Sequence, residues 1–442
     1  MKNLSAFQIV LISLFILFLL VGTLIFAGVL PGYRQTPGGA AGELVLWGTV
    51  PQSILQPILE QFNKDYKNYF TLRYEEKTGA TLETEFVEAK ADNRAPDLLL
   101  LPHDLGLTQR TRLTPLPPDF FPLRQFQDTF IDAGGLMIGD EGILALPLAV
   151  DPLIMYYNKN LLAEAGWPAP PRAWSEFVSK TANLTTFDDR RNILQSAVAL
   201  GETKNIIHAK DLLAMLLLQA GNPIISQSNQ TYVSALNQNF NTILKPAVAV
   251  LDFYTQFADP ARPNYSWNRS LPEARPAFSR SQTIFYFGYA SEYASIANEN
   301  PHLTFDVTLP PQPTETNQPK LILGRLLSVA AVRGGPKTNA AMAAAAAFSN
   351  AAPAGALAQA LFLPPARRDL LAAAPTEPAL ALFYRAALLT RAWLDPDPPA
   401  TKKIFDTMVE SVVTGRLRSV EAVAAADREL SALLQRIYGN NR

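Results

Sequence analysis

The run Ile143 to Trp167 (ILALPLAVDPLIMYYNKNLLAEAGW) organises the pattern of hydrophobic and polar positions along the chain. Ile143 to Val150 is apolar and rich in strand formers, which predicts a buried strand. Asp151-Pro152 interrupts it, because proline has no amide hydrogen to offer a neighbouring strand. Leu153 to Tyr157 resumes the apolar run, Asn158 is placed to cap a helix with Leu161 and Leu162 facing inward, and Gly166 is placed to end it. A buried strand that stops and then continues predicts a chain crossing from one lobe to another.

The same reading extends along the chain. Glu43 to Trp47 predicts a strand, followed by a helix over Ile54 to Tyr66. Thr81 to Val87 alternates as a half-buried strand, and the continuous apolar run Pro96 to Leu101 suits the middle of a parallel sheet. Beyond the crossing, helices are expected over Trp174 to Thr181, Asp211 to Ala220 and Asn241 to Phe257, with a surface loop over Asp259 to Pro276. Thr283 to Tyr293 predicts an aromatic strand broken at Gly288, and Leu303 to Leu309 another strand. Leu321 to Val332, which contains Gly324, is the candidate second crossing. An alanine-rich helix over Pro336 to Asn350 and helices over Leu380 to Trp393, Lys402 to Val413 and Val420 to Tyr438 complete the chain. The expected architecture is two α/β lobes, one from 43–148 with 326–362 and the other from 149–325 with 363–442.

Composition changes this picture mainly at the front. Phe7 to Leu30 contains no charged residue, and 24 residues at about 1.5 Å each span about 36 Å, against a hydrocarbon core of about 30 Å. An apolar stretch of that length exceeds a cleaved signal's usual core, so residues 7–30 are expected to be a retained transmembrane anchor, with Gly39-Ala40-Ala41 as the alternative cleavage site. Residues 1–6 would be cytoplasmic and 31–42 a flexible tether, with the soluble body on the extracytoplasmic side of the cell membrane. The 442 residues carry a net charge of -1, which argues against a nucleic-acid partner, and contain no cysteine, which excludes disulfides and thiolate metal sites.

Candidate chemistry is sparse. His103, His208 and His302 lie far apart without metal-ligand spacing, and no GxSxG elbow or complete phosphate-binding loop occurs. No metal or cofactor is expected. Ligand crevices in open α/β sheets lie beyond the carboxyl ends of the strands, which nominates Trp47, Thr49, His103 and Asp104. Asp151 joins them, since a carboxylate in an apolar run must be paired or face a cleft. Trp47, Tyr286, Tyr289 and Trp267 offer rigid rings for stacking on a sugar face, while Arg367 and Arg368 after a Pro-Pro break could hold a ligand or a carboxylate. Asp104 and Asp151 as an acid/base pair would make an anchored glycoside hydrolase, the alternative to a binding protein.

The strings LVLWGTVPQSILQPILEQFNKDY, APDLLLLPHDLGLTQRTRLTPL, LPLAVDPLIMYYNKNLLAEAGWPAPPRAWSEF, SQTIFYFGYASEYASI, FDVTLPPQP and LPPARRDLL together resemble the family 1 extracellular solute-binding proteins of the maltose-binding type, the receptors of ABC importers. The resemblance implies a two-lobed periplasmic-binding-protein fold with an interlobe hinge, no catalysis, and capture of a small solute, with a sugar expected. It implies ABC permease subunits as partners of a monomeric receptor, or a signalling partner if the chain is a sensor. It assigns Trp47, His103, Asp104, Asp151 and the region of Gly288 and Tyr289 to ligand-lining segments. Tyr286, Thr49, Gly324 and Arg367 complete the expected ligand-binding set.

Overall fold

The computed structural model describes residues 42–228, 231–240, 244–314 and 320–439; the segment expected to be an anchor, 7–30, lies outside them. Among the described residues no single helix is long and apolar enough to cross a membrane.

The first lobe opens with β1 (Glu43–Gly48), α1 (Gln52–Tyr66), β2 (Thr71–Glu76), α2 (Leu82–Ala91), β3 (Leu98–Pro102) and the short α3 (His103–Thr108). β1 pairs in parallel with β2 and β3, so the βα units place α3 at the carboxyl edge of the sheet. The long β4 (Leu146–Asn158) leads into α4 (Lys159–Glu164). The second lobe adds β5 (Ile193–Val198), α5 (Ala209–Gln219), β6 (Thr283–Tyr289) and β7 (Phe305–Thr308). β8 (Ile322–Val332) returns through both lobes, and α6 (Ser419–Tyr438) closes the chain.

One sheet runs through the molecule in the order β2-β1-β3-β8-β4-β6-β5. β4 and β8 are antiparallel neighbours at its middle, with Gly324 opposite Pro152, Arg325 opposite Asp151 and Leu326 opposite Val150. The two hydrophobic cores divide along these strands. Leu146, Leu148, Val150, Leu326 and Val329 belong to one core with β1 and β3; Leu153 to Tyr156, Ile322 and Leu323 belong to the other with α5 and β6. A third strand of chain passes the same place, where the amide of Val150 donates to Pro364 O at 2.9 Å and that of Ala366 to Leu148 O at 2.9 Å.

Several elements differ from the pattern reading. Asp151-Pro152 does not stop the strand: β4 is continuous over 13 residues. The strand changes partners there instead, from β8 before Leu153 to β6 and β7 after it, so the missing proline amide falls at the handover. Thr81 to Val87 is helical, because Leu82, Phe86 and Ala89 lie on one buried face at helical spacing, and Glu83 and Glu85 favour a helix start. The strand beside β1 is β2, whose alternation Thr71 to Glu76 is masked by charge. Gly288 does not break β6; it pairs with Ile154, and a Cβ there would meet Tyr286 Cε1 at 2.5 Å. Pro246 begins a helix (Pro246–Thr255), which its fixed φ favours. In the segment expected to be a surface loop, Trp267 is 1% exposed and its indole donates to Asn205 Oδ1 at 3.0 Å, which makes it a core residue and no stacking platform. Asn158 caps α4 as its position predicts, accepting from Asn160 N at 3.0 Å and Leu161 N at 3.1 Å.

Candidate functional site

The point where both long strands change lobes also gathers a cluster of charged side chains. Asp151 and Arg325 face each other across the β4/β8 ladder. Asp151 accepts from the Ser291 amide at 2.9 Å and the Ser291 hydroxyl at 2.6 Å, so the turn after β6 is tied to the crossing. Burial pushes its carboxyl up to about 6, against the pull of Ser291 and Arg325.

Arg325 donates to Asp211 Oδ2 at 2.9 Å and lies over the Tyr289 ring at 4.0 Å. Burial works against its charge, but Tyr289, Asp211, Asp104 and Asp151 raise its affinity for the proton further. Asp211 is buried, which alone would favour the neutral acid; Arg325, His208 and Lys210 reverse this and hold it well below the usual carboxylate range. Its place in the first turn of α5 adds the favourable end of the helix dipole.

Behind this pair lies a second layer. Glu292 accepts from Tyr286 Oη at 2.7 Å and from the Tyr289 amide at 2.9 Å, and sits 2.6 Å from His208 Nε2. Burial opposes charge on Glu292, yet His208 and these donors hold its pKa below the ordinary value. For His208, burial again opposes charge, and Asp211 and Glu292 outweigh it, so the imidazole pKa is raised. The Tyr289 hydroxyl is buried without a close hydrogen-bond partner, and His208 Nδ1 lies 3.7 Å from Asp211 Oδ2, a long ion-pair contact. On the far side of α5, Lys210 pairs with Asp395 at 2.5 Å. The first lobe contributes Asp104, half-buried at the start of α3, whose negative charge acts on His103, Arg325 and Asp395.

The structure therefore brings together Asp104, Asp151, Tyr289 and, one layer back, Tyr286. Tyr286 and Tyr289 are 1% and 2% exposed, and Arg325 covers the Tyr289 face, so Tyr286 positions Glu292 and neither offers an open ring for stacking. His103 is buried and accepts the Leu326 amide at Nδ1, 3.2 Å, with burial pushing its pKa down; it pins α3 to β8 as a neutral imidazole. Gly324 is a packing position, since a Cβ would meet Thr390 Cγ2 at 2.6 Å. Trp47 lines a separate depression with Arg73, Glu75, Glu85 and Glu88, its ring capped by Lys77 Nζ at 3.9 Å; β1 turns it beneath α2 and away from the crossing. Thr49 stays half-buried in the loop between β1 and α1. Arg367 pairs with Asp369 at 2.9 Å and donates to Ser349 O at 3.0 Å, bracing the first lobe, while Arg368 donates to Phe130 O at 2.8 Å. These residues were nominated by chain position, which does not say where a side chain points.

Pattern reading missed Arg325, Asp211, His208, Glu292 and Lys210. Arg325 carries the signal that flagged Asp151, a charge inside an apolar strand (LILGRLLSVAAV). The others sit at element starts, where a charged residue is unremarkable.

Two α/β lobes, joined by three crossings of the chain and meeting at a partly buried charged cluster, make up the fold of a two-lobed binding protein. Residues 58–383 match the bacterial extracellular solute-binding proteins, and the chain belongs to that family, a family of binding proteins and not of enzymes. Among solved structures it is similar to the cyclic α-maltosyl-1,6-maltose binding protein from Arthrobacter globiformis, with a TM-score of 0.74 and 14% identity over 89% of this chain and 99% of that one. It is also similar to a cyclo/maltodextrin-binding protein complexed with maltotetraose (TM-score 0.72, 14% identity, 92% and 100% covered). An ABC substrate-binding protein from Listeria monocytogenes in complex with cycloalternan gives a TM-score of 0.67 at 15% identity, with 90% and 99% covered.

Proposed function

We propose that the chain is a membrane-anchored receptor that captures a carbohydrate between its lobes and delivers it to an ABC importer. The observation that carries this reading is the convergence of Asp104, Asp151 and Asp211 from three different elements on the crossing, beside Arg325. Carboxylates accept from hydroxyl groups, and a guanidinium donates to ring and hydroxyl oxygens, which suits a polyhydroxylated neutral solute. The charges also weigh against an anionic solute: Arg325 is matched by Asp211 and Lys210 by Asp395, which leaves Asp104 and Asp151 in excess. The sugars named for the similar structures support the class.

Binding of a solute to both lobes would shift the population toward the closed form, which the importer would recognise. The apolar segment 7–30 would hold this body at the outer face of the membrane. Titration calorimetry of the full chain against maltotetraose, with spermidine and glycerol 3-phosphate as controls, tests the class. Saturable binding of the oligosaccharide, weakened at least about tenfold (about 1.4 kcal/mol) by Asp104→Asn, is expected. Heat from spermidine alone would replace the carbohydrate assignment with a polyamine one. Protease treatment of intact cells should degrade the body if it faces outward.

A further inference from the structure

The crossing joins the lobes on one side, and a different contact joins them elsewhere. Arg110 follows α3 in the first lobe, beside Leu107 and Leu113 of the first core. Its guanidinium lies 4.3 Å from the ring of Tyr438 and 6.0 Å from that of Tyr232, both packed on the second core. The rings themselves are 4.8 Å apart and tilted by 51°. Among the described residues Arg110 has no carboxylate partner, so the two rings are what hold it.

Both ends of this contact are braced. On the first lobe, buried Gln109 donates to Glu83 Oε1 at 2.5 Å and accepts from Arg112 at 2.7 Å, which fixes the short turn carrying Arg110 to α2. On the second, the hairpin of Ile225–Ser228 and Thr231–Ser234 is tied to α6, where the Ser234 hydroxyl donates to Asp427 at 2.6 Å. The hairpin and the last turn of α6 thus form one seat.

We propose that the lobe arrangement of this structure is the closed form and that Arg110 is its clasp, a cation held between the lobes on the Tyr438 and Tyr232 rings, which lengthens the residence of a captured solute. The inference rests on the reading that solute is held by closure, but the clasp acts whether or not solute is present. A cation over an aromatic face, partly withdrawn from water, shifts an equilibrium by roughly two- to thirty-fold. That is enough to change the closed-to-open ratio of a free receptor without locking it.

The absence of cysteine allows a direct test in the full chain. Spin labels on Arg124→Cys and Arg262→Cys, both highly exposed and one in each lobe, report the interlobe distance without ligand. Arg110→Ala should add a longer-distance population, lowering the closed-to-open ratio roughly two- to thirty-fold, with an unchanged melting temperature. Tyr438→Phe keeps the ring and should match the parent; Tyr438→Ala should match Arg110→Ala, and the double variant should open no further. Arg110→Glu, which replaces the cation with a carboxylate that the negative ring faces repel, should open the lobes at least as far as Arg110→Ala does. An Arg110→Ala distance distribution identical to the parent overturns the clasp. If maltotetraose binds, its dissociation should quicken in Arg110→Ala by the same factor; if it does not bind the parent at all, the solute assignment fails while the ligand-free distances still decide the clasp.

Discussion

Asp151→Asn separates the two roles a carboxylate at the crossing can play. In the folded chain its pKa is pushed up to about 6, and in the unfolded chain it is about 3.9. A raised acid binds its proton more tightly when folded. The stability it contributes is therefore fully present below about pH 4 and lost as pH rises through 6. Two units correspond to a little under 3 kcal/mol, and since Asp151 is only half-buried, screening by water brings the expected loss to roughly 1 to 2 kcal/mol. Asparagine has similar shape: its carbonyl still accepts from the Ser291 amide, and its amide can donate to the Ser291 hydroxyl, which now acts as acceptor. Urea unfolding should then find Asp151→Asn equal to the parent at pH 4 and more stable by roughly 1 to 2 kcal/mol at pH 7. Affinity for solute should fall in the same variant, since a fixed acceptor has been exchanged for a mixed group. A variant less stable than the parent at pH 7, or a stability difference that does not change with pH, refutes the reasoning.

Other outcomes follow from the same cluster. Gly324→Ala should destabilise by about 1 to 3 kcal/mol through the clash with Thr390 Cγ2, and Thr390→Ser in the same chain should restore part of that in thermal melts. Tyr289→Phe removes a hydroxyl with no close partner and should be neutral or slightly stabilising, whereas Tyr286→Phe takes a donor from Glu292 and should cost about 1.5 to 3 kcal/mol in urea unfolding. His208, whose pKa is raised, contributes stability that is full below about pH 6.5 and is lost as pH rises through its folded value, so the gap between parent and His208→Gln should narrow from pH 6 to pH 9.

How much of this was legible beforehand depends on the kind of signal. The lobe crossing was readable because Asp151-Pro152 stands out in an apolar run, and apolar runs report burial directly; Arg325, as conspicuous in its own strand, went unread. The helix α2 was misread as a strand because Leu82 and Phe86 satisfy both periods over so short a run. Trp47 and Arg367 were expected at the cleft from their place beside strand ends and breaks, and both point elsewhere: the first under α2, the second toward Ser349 and Asp369. His208, Asp211 and Glu292 lie up to 84 residues apart, and only the packing of α5 against the turn after β6 makes them one network. No local pattern encodes that meeting.

The place of β8 in the sheet has a consequence for the chain's birth. It lies between β3 and β4, yet residue 332 is made long after both neighbours. Until it emerges, the nascent first lobe has two unpaired strand edges where its middle should be, and its core lacks Leu326 and Val329. Neither lobe can be completed early, so any chaperone, translocase or protease that meets the growing chain meets it open.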